Sequence, residues 1–442
     1  MPSLLDNLNK KIAARKARIA VIGLGYVGLP LAAAFASKGF TVSGIDLDEG
    51  RVKRLRRNDS YIPDLDSGFL KTLSDSGRFS ASQKPDALKE ADAVIICVPT
   101  PVKLNVKGER LPDLHCLEQA AELVARNFKH GQLIILESTT YPGTTEEMIP
   151  PLLKKKGLVP DRDFFLAFSP ERIDPGNQRY SLEAIPKIVG GITPKSTQLA
   201  EALYATIVPK VIAVSSSMTA EMVKLLENTF RIVNIGLANE FALICHKMGV
   251  DVWEVIEAAK SKPFGFMAFS PGPGIGGHCI PSDPHYLTWR AKKEGAETRL
   301  IDIAARVNAQ MPQAIVTRTA ELLSRKKKIL KNSSVLLLGM AYKRDVNDTR
   351  ESPAIEIFEG LKSRGARVVY HDPWVESVRI GKATVRSAVL TPALLKKSDC
   401  VIITTDHSDI DYALVAKSAP LIFDTRNAYR EFKKVPKNVV RL

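Results

Sequence analysis

Long hydrophobic runs are missing: no apolar stretch in the 442 residues approaches the roughly 20 that a membrane-spanning helix needs, so no membrane partner is expected. Cysteine is scarce. The five, at 97, 116, 245, 279 and 400, form no close pair and are odd in number, which argues for reduced thiols rather than a disulfide framework. The first residues lack the charged, apolar and small-residue segments of a secretory signal, and the expected compartment is the cytoplasm. Low-complexity and short-period repeats are absent too. The formal charge of +15 comes from scattered Lys and Arg without interleaved aromatics, which excludes nucleic acid as the expected partner. Such a basic balance suits dianionic ligands whose pyrophosphates carry the negative charge.

The chain exceeds the usual size of one hydrophobic core, so two or three domains are expected. Between residues 18 and 170 short β-branched runs alternate with helical stretches: RIAVIGLG, TVSGIDLD, AVIICVP, QLIILEST and FFLAFSP. That alternation indicates a parallel sheet with helices on both faces. VLLLGMAY, ARVVYHDP, CVIITTDH and APLIFDTR repeat the theme between 335 and 425. Between the halves, residues 219 to 248 run without proline, with Thr219 placed as N-cap and Gly249 as the stop. Apolar residues on nearly every face of this helix predict burial on all sides, as a connecting spine and a homodimer interface. The expected fold is α/β, two doubly wound Rossmann-like domains joined by a long central helix. The expected boundaries are 1–205 for a first doubly wound domain, 206–315 for a central helical dimerisation domain with a cysteine loop, and 316–442 for a second doubly wound domain.

The run RIAVIG leads into Gly23-Leu24-Gly25-Tyr26-Val27-Gly28, with a helix after it and a second strand ending in Asp46. In that context the glycines are a dinucleotide fingerprint: Gly23 for the tight turn, Gly25 for approach of the pyrophosphate, Gly28 for close packing of helix on strand. Asp46 is placed for the adenosine ribose hydroxyls and disfavours a further phosphate there, so NAD is the expected cofactor. Arg51 could accept such a phosphate and counts against that choice.

Residues 271 to 285 place four glycines and four prolines around one thiol, Cys279. Such a loop brings backbone close to a ligand and exposes the sulfur. Zinc is the competing reading, through His278, Cys279 and His285, but no second cysteine stands at metal-ligand spacing and no metal is expected. Cys97, Cys245 and Cys400 lie in apolar patterns and read as packing residues.

Over nearly its whole length the sequence resembles the UDP-glucose and UDP-N-acetylhexosamine 6-dehydrogenases. The resemblance is carried by GxGYVGLPLA at 23 to 32, ESTTYPGTT at 137 to 145, FSPERIDPGN at 168 to 177, the helix from Lys224 to Asn228, GGHCIPSDP at 276 to 284 and AYKRDVNDTRESPA at 341 to 354. It implies a four-electron oxidation: alcohol to aldehyde, capture by cysteine as a thiohemiacetal, a second hydride transfer to a thioester, then hydrolysis to the uronic acid. Under it Cys279 is the nucleophile, Lys224 and Asn228 are the oxyanion donors, and Glu171 is the base for thioester hydrolysis, with an ion pair to Arg172 as its alternative. Asp283 assists through a water or Lys224, and Thr139 lies near the reacting carbon. The implied cofactor set is Gly23, Gly25, Tyr26, Val27, Gly28, Asp46, Arg51, Thr100, Thr139 and Arg350. For the UDP-sugar the implied set is Glu171, Arg172, Lys224, Asn228, Gly276, Lys343 and Arg426. The histidine before the cysteine, KPFGFM at 262 to 267 and Pro263 in place of an arginine look like the N-acetylhexosamine branch, with UDP-N-acetylglucosamine as the first choice and its epimers or UDP-glucose as alternatives. Two rival readings are a single-hydride NAD-linked hydroxyacid dehydrogenase and a non-catalytic nucleotide-sugar-binding module.

Overall fold

Runs of apolar and β-branched residues become strands buried on both faces, as the fully buried Ala93–Ile96, Gln132–Leu136 and Phe164–Phe168 show. In this computed structural model, which describes residues 3–62, 65–104, 110–172, 184–277 and 280–442, the chain divides into two compact units. One comprises Met1–Glu227 with His285–Gly295, the other Asn228–Pro284 with Ala296–Leu442.

The first unit holds an eight-stranded sheet, in spatial order Val211–Ala213, Lys187–Gly191, Phe164–Phe168, Gln132–Leu136, Ala93–Ile96, Arg18–Ile22, Thr41–Ile45, Phe79–Ser82. The six strands from Phe79–Ser82 to Phe164–Phe168 are parallel and follow the dinucleotide-binding order, with the switch point between Arg18–Ile22 and Ala93–Ile96. Lys187–Gly191 joins antiparallel to Phe164–Phe168, pairing Ala167 with Gly191 and Phe168 with Gly190. Successive strand residues feed opposite cores: Ile19, Val21, Ile95 and Ile135 pack on one side, Ala20, Ile22, Ile96 and Ile134 on the other.

A five-stranded, all-parallel sheet occupies the second unit, ordered Arg367–His371, Ser334–Leu338, Cys400–Ile403, Ile422–Asp424, Val439–Arg441. It is the other common doubly wound order, and it too alternates its residues between two cores. The α/β class and both Rossmann-like sheets agree with the sequence reading. Cys245 and Cys400 are buried, and Cys97 packs half-buried against the first core, as packing residues do.

The long helix runs Ser217–Met248, two residues longer at its start than expected. Thr219 is not its N-cap. Its backbone N–H donates to the Ser216 hydroxyl at 3.1 Å, so Ser216 fills that role. Gly249 ends the helix at φ +71°, a left-handed conformation that costs glycine little. Burial on all sides is met within the chain on part of the helix only: Met222, Leu226, Phe230, Leu237, Phe241, Ile244 and Met248 share one face that is exposed among the described residues, the face left for the expected homodimer interface. No helix among the described residues is long and apolar enough to cross a membrane.

Candidate active site

The first unit places its glycine loop at the sheet's switch point, where ligands of open α/β sheets bind. Gly23 sits at φ +90°, and a Cβ there would lie 2.6 Å from the Cys97 carbonyl oxygen. A Cβ on Gly28 would lie 1.9 Å from the Gly23 carbonyl oxygen, so the helix Gly28–Ser37 can start this close to the loop only with glycine. Gly25 faces open space, which leaves room for a pyrophosphate beside the helix N-terminus. Tyr26 is 40% exposed at the same turn, just before Val27, which precedes the helix. Asp46 ends the second strand and accepts hydrogen bonds from Leu24 N (2.8 Å) and Asp48 N (2.9 Å). Arg51 Nη1 lies 3.4 Å from the same carboxylate and so partly neutralises it. An open glycine, a free helix end and a carboxylate at the strand tip together fit a dinucleotide. Thr100 and Thr139 follow neighbouring strands, and the Thr100 hydroxyl donates to the Thr139 carbonyl at 2.7 Å.

Glu171 follows Phe164–Phe168 and is buried. One of its carboxylate oxygens accepts from Arg172 N at 2.6 Å, the other from Lys187 Nζ at 3.2 Å. The alternative, an ion pair with the Arg172 guanidinium, is replaced: that side chain forks onto Glu227, at 2.6 and 3.2 Å, and donates to the Pro186 carbonyl. Lys224 is buried on the long helix, and its Nζ donates to the Glu171 carbonyl at 2.7 Å. Sequence reasoning missed Lys187 and Glu137, which lie 3.0 Å apart with Tyr204 donating to Glu137. Burial pushes the Glu137 carboxyl up to about 7, with Lys187 opposing and Glu171 adding to the rise. For Lys187 burial works against the charge, yet the two carboxylates hold the ammonium above its ordinary value. A signal was present: Lys187 opens KIVGG, where every other residue is apolar or glycine, and Glu137 ends an apolar strand.

In the second unit Asn228, one helical turn beyond Lys224, donates through Nδ2 to Asp283, and both are buried. Asp283 thus meets the amide of the expected donor pair. Cys279 and His278 lie outside the described residues. Up to Gly277 the cysteine loop packs tightly: Gly277 N donates to the Arg350 carbonyl at 2.9 Å, and a Cβ on Gly276 would lie 2.6 Å from Tyr342 Cβ. Gly272 N donates to Asn239 Oδ1, and a Cβ on Gly272 would meet Arg426 Nη1 at 2.9 Å. Arg426 is fixed by the Thr404 and Tyr342 carbonyls at 3.0 and 3.3 Å. Burial lowers its guanidinium from the ordinary value, with Asp406 and Asp424 opposing. Lys343 is half-buried beside Tyr342, while the Arg350 guanidinium forks onto Asp348 at the surface.

The UDP-glucose/GDP-mannose dehydrogenase family models match three stretches: the NAD-binding domain over 17–208, the central domain over 218–310 and the UDP-binding domain over 336–431. A UDP-N-acetyl-D-mannosamine dehydrogenase of Pyrococcus horikoshii is 38% identical over 421 residues, 94% of this chain and 96% of that one. A UDP-N-acetyl-D-glucosamine 6-dehydrogenase of Pseudomonas aeruginosa is 37% identical over 362 residues, 81% of this chain and 83% of the relative. The solved structure of the Pyrococcus horikoshii UDP-D-ManNAc dehydrogenase superposes with a TM-score of 0.86 at 37% identity, covering 96% of this chain and 98% of its own.

Proposed function

Since the chain belongs to the UDP-glucose/GDP-mannose dehydrogenase family and is an NAD-dependent UDP-sugar dehydrogenase, we propose that it oxidises the 6-hydroxymethyl group of a UDP-N-acetylhexosamine to the carboxylate through Cys279. The observation that carries this is the buried Glu171, with both carboxylate oxygens anchored and Lys224 against its carbonyl, in a chain that also bears the cysteine loop. The glycine loop with Asp46 would hold NAD, which when bound would supply the hydride acceptor for both oxidations, the hydroxyl proton of the alcohol leaving to water.

The residues supply the remaining chemistry. The Cys279 thiolate forms the C–S bond to the aldehyde, and Lys224 and Asn228, one turn apart on one face of their helix, stabilise the oxyanion that results. In hydrolysis a water oxygen bonds to the acyl carbon, its proton passes to Glu171, and the C–S electron pair stays on sulfur. Asp283 holds Asn228 in place. Lys343 and Arg426 receive the UDP moiety, to which a planar guanidinium offers paired donors. Thr139 and Thr100 line the cofactor side.

UDP-N-acetyl-D-mannosamine has the wider comparative support, from the relative matching 94% of the chain; the gluco epimer, expected from the sequence, is the second reading, favoured by the 37% identical glucosamine enzyme. We further propose a homodimer through the exposed face of the long helix. Purified protein offered the N-acetylglucosamine, N-acetylmannosamine, N-acetylgalactosamine and glucose UDP-sugars in parallel is expected to release two NADH per uronate with one of the first two. One NADH per substrate overturns the four-electron scheme. Cys279→Ser is expected to abolish uronate formation while UDP-sugar binding persists.

A further inference from the structure

We infer that Lys187, to which nothing so far assigns a role, is a positioning residue that fixes and keeps ionised the Glu171 carboxylate for hydrolysis of the thioester. This rests on the reading of Glu171 as the hydrolytic base. The geometry begins in the sheet: the antiparallel register pairing Ala167 with Gly191 and Phe168 with Gly190, carried three residues further, sets Glu171 across from Lys187. Lys187 Nζ is 3.2 Å from one Glu171 oxygen while Arg172 N holds the other at 2.6 Å, so the plane of the carboxylate is fixed by groups that lie outside the substrate.

Stability alone does not account for a buried lysine here. Desolvating one ammonium and two carboxylates costs about as much as their attraction returns, and apolar residues of similar volume commonly serve a fold as well or better. The arrangement is also imperfect as an ion pair, since the second oxygen of Glu137 is buried with no hydrogen-bond partner among the described residues. A base, by contrast, gains directly. An isolated carboxylate in this buried position takes up a proton, and an adjacent cation reverses that preference. The titratable groups that face the pair come from four further elements: Glu137 beyond Gln132–Leu136, Tyr204 at the end of Pro194–Tyr204, Cys97 beyond Ala93–Ile96, and Lys224 on the long helix. Lys224 Nζ is committed to the Glu171 carbonyl, which leaves Lys187 as the cation on the carboxylate among the described residues.

The test separates the half-reactions. Lys187→Met leaves two buried carboxylates without their cation and is at risk of misfolding. Glu137→Gln with Lys187→Met keeps the net charge of the cluster, and circular dichroism checks that it folds. In rapid-quench experiments with NAD and the UDP-sugar that is turned over, the double variant is expected to release its first two NADH per site within about twofold of the wild-type rate. Thioester hydrolysis is expected to slow about tenfold or more at pH 7, with an acyl adduct on Cys279 visible by intact-protein mass, because general-base assistance typically contributes about 10²–10⁴-fold and the variant loses part of it. The acidic limb of the hydrolysis pH profile is expected to move up by about one unit, with Lys187→Arg restoring it. Hydrolysis at the wild-type rate with an unmoved limb overturns the inference, and so does an equal slowing of every step. Glu171→Gln serves as the control: an adduct in it without one in the Lys187 variants defeats the inference alone, whereas no adduct in Glu171→Gln defeats the base assignment and this inference with it.

Discussion

Asp46 and Asp372 stand at the ends of the second strands of the two sheets, and both carboxylates turn back onto the loop that follows the first strand. They differ in how many donors they have spent. Asp46 accepts two backbone N–H groups and lies against Arg51 at the surface, a state compatible with receiving a ribose. Asp372 accepts from Met340, Ala341, Trp374 and Val375 N–H groups and meets His407 Nε2 at 3.1 Å, so its capacity is filled from within. Burial opposes its charge, but the His407 contact and the N–H donors win and hold its carboxyl at about 2. A carboxyl depressed in the folded state contributes stability that is fully present above its ordinary value near 4 and is lost as pH falls toward 2. Asp372→Asn is therefore expected to unfold more readily at pH 7 and to show a flatter loss of stability between pH 4 and 2, measured by thermal melts across that range. The sequence displayed Asp46 because a glycine fingerprint announced it. It did not display the saturation of Asp372, since His407 comes from a strand end 35 residues away.

Elements were legible where one period ruled. The strands at 18, 41, 93, 132 and 164, and four in the second unit, could be read from apolar β-branched runs. Phe79–Ser82 and Val439–Arg441 could not, being a polar strand at the sheet edge and a three-residue one. Lys187–Gly191 opens on a charge and closes on two glycines, which local propensity places outside sheets. Long-range contacts also set how helices begin. Thr144–Lys154 has no side-chain cap of its own, with Gly143 at φ +100° before it. Glu221, from the long helix, accepts the Gly143 and Thr145 N–H groups at 2.5 and 3.0 Å and the Thr145 hydroxyl at 2.7 Å. Glu221→Ala strands three buried donors and is expected to lower stability by about 2–4 kcal/mol in urea melts, since each lost partner costs about 1–3 kcal/mol less what water recovers. A cost below about 0.5 kcal/mol, within the range of ordinary surface substitutions, would show that the cap is dispensable.

At the scale of the whole molecule, the question is what covers the outer face of the long helix. Residues advance about 100° each around a helix, so Met222, Leu226, Phe230, Leu237, Phe241, Ile244 and Met248 fall within an arc of about 100°. Lys224 and Asn228 project about 100° or more beyond either edge of that arc, so the face proposed for catalysis and the apolar face are separate. The stripe runs about 39 Å, far more than the scattered single apolar residues normal on a monomer surface. Leu226 is 66% and Met248 72% exposed, and a partner that presents an equally long apolar ridge would dry them. In the proposed homodimer a second copy of the same helix would do so by symmetry, the patch packing on itself across a two-fold axis so that each contact between two of its residues occurs twice. The apolar count alone suggested burial on all sides, by the chain and by a second copy; what it could not supply was which face each would cover. Leu226→Glu with Leu237→Glu places charges in the middle of the stripe while keeping good helix formers, so the fold is expected to survive as a monomer by light scattering at micromolar concentration. A double variant that stays dimeric, or a wild-type protein that is monomeric under the same conditions, would remove the helix from the interface.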